Sequence, residues 1–408
     1  MTLMDRRRAC LGAILFLLAS PGTAQKPADL TAVLTQIEGQ VTLGNVRRAA
    51  QRQVIRQGEV VHLPPGAQVT LICSTETLVS LSGSQDWILE AAACEQGRVL
   101  PESSYRNVAG YAGRMIPRKG NLLLELEPRG MEAAFIPILL SPRNTAVMKA
   151  DPCLVWTQVP DAVEYEITVR GPVNIAIRPA PAELHCGRGS GPWKDLDVCI
   201  WKPSGKWSRL EPEKPVFLRL GTRQVLGAPL REIREVLYKV HLLSVNDQHD
   251  IEEWLHQIAM LPLDKASHLL LTAGAYAQSG LYADAIAAYD QALQAQEMPE
   301  ARVALGDLYL KIDLVESAER EYRQVPADTP DPAAYAAAEL GLGYASYARN
   351  LFDEARAHFE RAGALYATLC LPAEEEEARA AAARVQVAAQ STSSARACSS
   401  PKAARQIR

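Results

Sequence analysis

The residue types in this chain that most readily do chemistry are its seven histidines and eight cysteines, and their spacing argues against most of it. His249 and His256 lie seven apart, two turns of a helix, too far to hold one metal ion between them. The neighbours His185 and Cys186 would need two further ligands from elsewhere. The remaining histidines, His62, His241, His268 and His358, are isolated in sequence and read as surface or packing residues. Asp195 and Asp197 stand where a calcium loop would start, but the rest of its pattern is missing. No phosphate-cradling Gly-x-x-x-x-Gly-Lys, no His-Glu-x-x-His and no Gly-x-Ser-x-Gly elbow is present. Gly187-Arg188-Gly189-Ser190-Gly191 imitates part of a dinucleotide loop, but Pro192-Trp193 follows where a helix should begin, so it reads as a plain loop. A Ser-His-Asp triad assembled from distant segments would leave no local trace. The expectation is a non-catalytic protein with no cofactor and no metal.

The cysteines take their meaning from the first residues. Arg6, Arg7 and Arg8, the apolar run Leu11–Ala19 and the small residues Gly22-Thr23-Ala24 form an export signal over residues 1–24. Retention as an uncleaved anchor and a twin-arginine route are the alternatives. Beyond it, no stretch reaches the roughly 20 apolar residues of a membrane helix. Export predicts a periplasmic or other extracytoplasmic location in the cell envelope. Of the eight cysteines, removal of Cys10 leaves Cys73, Cys94, Cys153, Cys186, Cys199, Cys370 and Cys398. There is no Cys-x-x-Cys, and Cys73–Cys94 and Cys186–Cys199 would each close a short loop as a disulfide. Reduced, buried cysteines are the alternative.

Four stretches of different composition must position whatever the chain does. A length of 408 residues calls for two to four domains, and 48% apolar with 22% charged residues is ordinary for globular material. A net charge of −4 supplies no pull toward nucleic acid or an anionic membrane. Over residues 30–115, short β-branched runs such as Gln68-Val69-Thr70-Leu71-Ile72 and Leu78-Val79-Ser80-Leu81 alternate between Gly and Pro breaks. These predict a small antiparallel β domain. Within it, Ile37-Glu38-Gly39-Gln40-Val41, then Ile55-Arg56-Gln57-Gly58-Glu59-Val60-Val61, then Pro65-Gly66-Ala67-Gln68-Val69-Thr70-Leu71 resemble the FecR-like β domain of bacterial envelope proteins. Glu59 stands where that family usually has Asp. The resemblance covers about a fifth of the chain and implies sensing, signal relay or binding of a surface polymer in the envelope.

Residues 136–245 read as a second, β-sandwich domain. Pro152, Leu154, Trp156, Val159, Ala162, Tyr165, Ile167 and Val169 resemble the first strands of a fibronectin type III-like sandwich, in which a Trp and a Tyr on neighbouring strands fill the core. Trp193, Trp201 and Trp207 cluster in the same domain. Exposed and coplanar, they would be a platform for sugar rings; buried, they would only complete the core.

From residue 248 to about 390 the period becomes helical, with Asp247 or Asp250 as the cap at its start. Leu269, Ala273, Tyr276, Ala285, Tyr289 and Ala292 are echoed by Leu305, Gly306, Tyr309, Ala318 and Tyr322. They are echoed again by Leu342, Gly343, Tyr347, Ala355, Phe359 and Ala362. Ala285 to Ala318 is 33 residues and Ala318 to Ala355 is 37, with the excess in the Pro-rich loop 326–332. This resembles the tetratricopeptide repeat, with its ~34-residue period of paired helices. Departures are the missing first-helix Trp, Val325 for a small residue, and Ala273 for Gly. The acidic run Glu374–Glu377 suits the first turn of a terminal capping helix, and residues 391–408 read as a disordered tail.

The fold class expected is therefore two all-β domains followed by an all-α solenoid. The resemblance implies an exported scaffold holding a protein partner, with Tyr276, Arg302, Tyr309, Glu339 and Ser346 as groove residues. The alternatives are a cell-envelope polysaccharide or peptidoglycan binder working through the β domains, and an envelope signalling relay.

Overall fold

The structure is a computed structural model. It describes residues 31–89 and 136–261, each with short gaps, together with residue 112 and residues 263–398. The signal segment, Cys94, Trp207 and the last ten residues lie outside the described residues. β strands precede an all-helical portion, as the change in period predicts.

The first β region holds β1 (Thr31–Glu38), β2 (Thr42–Leu43), β3 (Arg47–Arg48), β4 (Val54–Arg56), β5 (Val60–His62), β6 (Gln68–Cys73), β7 (Leu78–Ser82) and β8 (Asp86–Ile88). They form two four-stranded sheets, ordered β4-β1-β6-β7 and β3-β2-β5-β8, with antiparallel pairings. Alternation decides which face turns in: Val69 and Leu71 of β6 are buried while Gln68 is exposed. With Leu34, Ile55, Val61 and Val79 they make one core. Gly39 turns the chain at φ 87°, and a Cβ there would stand 3.1 Å from that of Ala67, so the turn requires glycine.

The second β region comprises β9 (Leu139–Ser141), β10 (Thr145–Val147), β11 (Leu154–Thr157), β12 (Glu164–Arg170), β13 (Ile175–Ile177), β14 (Leu184–Arg188), β15 (Asp197–Trp201), β16 (Val216–Arg223), β17 (Arg231–Glu232) and β18 (Tyr238–Leu242). One sheet runs β10-β18-β16-β12-β13, with β17 beside β16; the other runs β14-β15-β11-β9. Trp156, Trp201, Tyr165, Ile167, Leu218 and Val240 share a single core. Trp156 meets Tyr165 edge-on with ring centroids 5.3 Å apart, and the Tyr165 hydroxyl accepts the Val159 amide at 3.0 Å, so the buried phenol keeps a partner. Cys186 of β14 is bonded to Cys199 of β15 directly across the strand pair.

Eight helices follow among the described residues: α1 (Val245–Ala259), α2 (Lys265–Gln278), α3 (Tyr282–Ala295), α4 (Pro299–Lys311), α5 (Val315–Arg323), α6 (Pro332–Ala348), α7 (Phe352–Thr368) and α8 (Pro372–Cys398). The expected cap of the first helix is corrected. Ser244 caps α1, accepting the Asp247 amide at 3.1 Å, and its hydroxyl donates to the Asp247 carboxylate at 2.7 Å, so Asp247 sits inside the first turn. Asp264 and Asp331 cap α2 and α6 in the same way. The expected tail boundary also moves, since α8 continues to Cys398, eight residues past 390. The chain divides after Gln296 into two compact units, the first ending with α3 and the second beginning with α4.

Candidate protein-interaction site

Each helical pair closes through the same turn. α2, α4 and α6 end in a left-handed residue, Gly280 (φ 75°), Asp313 (φ 62°) and Asn350 (φ 63°). The leucine that follows returns its amide to a carbonyl in the last turn: Leu281 to Tyr276 at 2.9 Å, Leu314 to Tyr309 at 2.8 Å, and Leu351 to Ser346 at 2.9 Å. This is the left-handed C-terminal cap that satisfies orphaned helix carbonyls. Cys370, Leu371 and Tyr366 repeat it between α7 and α8.

After each turn the second helix must come close, and the small residues found from spacing are what permit it. Ala285, Ala318 and Ala355 are fully buried, and so are Tyr289, Tyr322 and Phe359, each four residues later. In the second unit the aromatic slots are exact fits. A Cβ on Gly306 would lie 2.5 Å from the Tyr322 ring, and one on Gly341 only 2.3 Å from it. Tyr322 is thus held between a glycine of α4 and a glycine of α6, with its hydroxyl donating to Asp307 at 2.7 Å. Gly343 receives Phe359 in the same manner.

Polar pairs tie the second unit together around this core. Arg302 of α4 donates to Glu297 at 2.6 Å and to Glu321 of α5 at 2.7 Å. Arg349 of α6 reaches Glu319 of α5 at 2.7 Å. Glu339 of α6 takes hydrogen bonds from His358 at 2.7 Å, Arg361 at 3.0 Å and Tyr335 at 2.9 Å. Burial by itself would push this carboxyl up. The bonds from His358 and Tyr335 and the charges of His358 and Arg361 outweigh it and hold Glu339 below the ordinary carboxylate range.

The five expected groove residues do not line an open face. Tyr276, Tyr309 and Ser346 occupy the equivalent position whose carbonyl the leucine amide finds, and they are 5%, 2% and 6% exposed. The correction has a physical reason: this position lies over the turn, where the returning chain closes on it. Burial, and then the nearby charge of Asp284, push the Tyr276 phenol up to about 12, so it stays a neutral packed ring. Glu339, 5% exposed, and Arg302 are engaged in the ion pairs above. Half-buried side chains on the same helices are Glu300, Asp307 and Lys311 of α4 and Tyr344 and Tyr347 of α6. Tyr344 stacks edge-on with Phe359 at 5.0 Å and donates to Glu377 of α8 at 3.0 Å; Tyr347 stacks on Phe352 at 5.8 Å.

In the β regions, Cys186–Cys199 is formed, and Cys73 and Cys153 are also disulfide-bonded. Cys94 lies outside the described residues, so the Cys73–Cys94 pairing is not described. Cys370 is a free thiol on the surface. Trp201 is fully buried in the sandwich core, and Trp193 is 6% exposed, so neither forms a sugar platform. Among the described residues, no three His, Cys, Asp or Glu side chains converge as metal ligands, and no helix is long and apolar enough to cross a membrane.

A comparison with curated proteins finds no match. Residues 276–340, from the end of α2 through the first half of α6, match the tetratricopeptide repeat family, and the turns at Asn350 and Cys370 continue the same helical pairing beyond it to α8.

Proposed function

We propose that this protein is an exported scaffold that holds a protein partner on its helical repeats. The observation that carries the reading is the match of residues 276–340 to a repeat whose general use is protein–protein interaction, in a helical stack that buries its own small and aromatic positions. We place the contact on the half-buried residues of α4 and α6, chiefly Lys311, Tyr344 and Tyr347, which keep part of their surface exposed. Tyrosine suits such a surface, giving a large contact area at little conformational cost.

Export is supported by the signal pattern of residues 1–24 and by the bonded state of Cys73, Cys153, Cys186 and Cys199, since disulfides persist in oxidising compartments. The FecR-like reading of the first β region gains support from Gly39, Gly58 and Gly66, the motif glycines, which all take left-handed turns. The fibronectin-like reading of the second rests on the Trp156–Tyr165 pair between two sheets. Binding of a wall polymer loses the aromatic surface that favoured it.

The test is a photo-crosslinking amino acid at Tyr347 of the full chain, expressed in its own cell. A discrete crosslinked protein is expected, with mass spectrometry of the mature chain showing cleavage after Ala24. Crosslinking to glycan alone, or retention of the chain in the cytoplasm, would sink the reading.

A further inference from the structure

Thr145 stands at the outer edge of the larger sandwich sheet, where β10 pairs in parallel with β18 on one side only. Its other side does not face water. The Ala146 amide donates to the Gly280 carbonyl at 2.9 Å, and the Thr145 hydroxyl donates to the same carbonyl at 2.9 Å. The Thr145 oxygen in turn accepts the Tyr282 amide at 2.8 Å. Thr145 is itself buried. Gly280 and Tyr282 flank the turn between α2 and α3, so the sheet edge satisfies backbone groups that the helix ends leave open. An uncovered strand edge is a template for pairing with another chain, and covering it with a helix turn is one of the ways proteins prevent that.

Two further contacts reinforce this seam. The turn Gly191–Trp193 packs against α3, and Trp193 is buried there. Lys149, just beyond β10, acts electrostatically on Asp284 in the first turn of α3, drawing down a carboxyl that burial pushes up. The seam therefore combines backbone hydrogen bonds, an aromatic plug and a charge pair.

We propose that the first helical hairpin, α2–α3, is an intramolecular docking element that folds with the sandwich and closes its β10 edge. The turn end of the first repeat is then already occupied, and the β-sandwich serves as the anchor of that hairpin. This does not depend on the scaffold reading, because the seam is internal to the chain.

The experiment is hydrogen exchange with mass spectrometry on the full chain and two variants. Ile167→Ala loosens the sandwich core at β12, three strands along the sheet from β10; Thr145→Val removes the hydroxyl alone. Both should speed exchange throughout α2–α3 by at least about tenfold, Ile167→Ala together with the sandwich strands and Thr145→Val most strongly in the first turn of α3. Should Ile167→Ala fail to fold, Ile167→Val gives the same comparison with a milder loss. Wild-type protection of α2–α3 while the strands lose theirs, and no change with Thr145→Val, would overturn the proposal. No partner enters the measurement, so its outcome is separate from that of the crosslinking test.

Discussion

Replacing Gly341 with Ala should destabilise the second helical unit, although the same change in a free helix is favourable. Ala gains about 1 kcal/mol over Gly from helix propensity. Against this stands the Tyr322 ring, whose Cζ would lie 2.3 Å from the new methyl. The ring cannot retreat, because its opposite side approaches Gly306 within 2.5 Å of a Cβ position and its hydroxyl is tied to Asp307. Overpacking of this kind costs about 1–3 kcal/mol, and a ring closed on both faces belongs toward the upper end. The net loss is therefore about 1–2 kcal/mol. For a unit of this size that lowers the thermal midpoint by roughly 5–15 °C. Gly363→Ala is the control. Its nearest neighbour would be the Ala378 methyl at 3.7 Å, an ordinary contact, so propensity wins and the unit gains about 0.5–1 kcal/mol.

The assay is thermal unfolding of the full chain followed segment by segment through hydrogen exchange, which separates α4–α8 from the first unit. In a Tyr322→Ala background, where the ring is gone, Gly341→Ala should turn from a loss into a gain. If Gly341→Ala stabilises the wild-type chain as Gly363→Ala does, Tyr322 does not occupy the slot between the two glycines and the register of the repeats is wrong.

Three further outcomes follow from single features. Cys370 holds φ 56° before α8, so Cys370→Gly should stabilise the second unit by about 0.5–1 kcal/mol, read as a raised thermal midpoint; Asn350→Gly should gain less, because Asn tolerates that conformation. Glu339 is held below the ordinary carboxylate range, so its stabilisation is present above that range and is lost as the pH falls through its lowered value; acid titration of unfolding should show the slope, and Glu339→Gln should flatten it. Breaking Cys186–Cys199 should cost the sandwich about 2–4 kcal/mol, and Cys199→Ser should cost more than Cys186→Ser in thermal unfolding, since Cys199 lies fully buried beside Trp156 and Tyr165 while Cys186 is exposed.

Spacing alone located the residues whose role is local to a repeat. Ala285, Ala318 and Ala355 recur because two antiparallel helices can approach only where a side chain is small, and all three are buried. The cap of α1 is legible in Ser244-Val245-Asn246-Asp247, a Ser followed three residues on by an acid, and reading Asp247 or Asp250 as the cap passes over Ser244. The seam at β10 had no local signature, because Thr145 and Gly280 are 135 residues apart and each looks like an ordinary turn or edge residue where it stands. Trp193 carries no local sign of its burial either, since the turn that holds it packs against α3, about 90 residues further along the chain.

The groove residues show where reading a helical face from sequence fails. Tyr276 and Tyr309 can be assigned to an open face only if each helix is considered alone. In the repeat, the left-handed turn four residues later folds the next leucine back onto the same carbonyl, and the side chain at that position is enclosed by the returning chain. Ser346 fills the position in the third repeat, so an aromatic ring is not what the turn demands; a carbonyl in the right place is. On the scaffold reading proposed above, partner contact falls to positions that the turn leaves half open, and there the repeats differ: Asp307 and Lys311 on α4, Tyr344 and Tyr347 on α6. The conserved geometry of the array and its variable surface are separated by less than one helical turn.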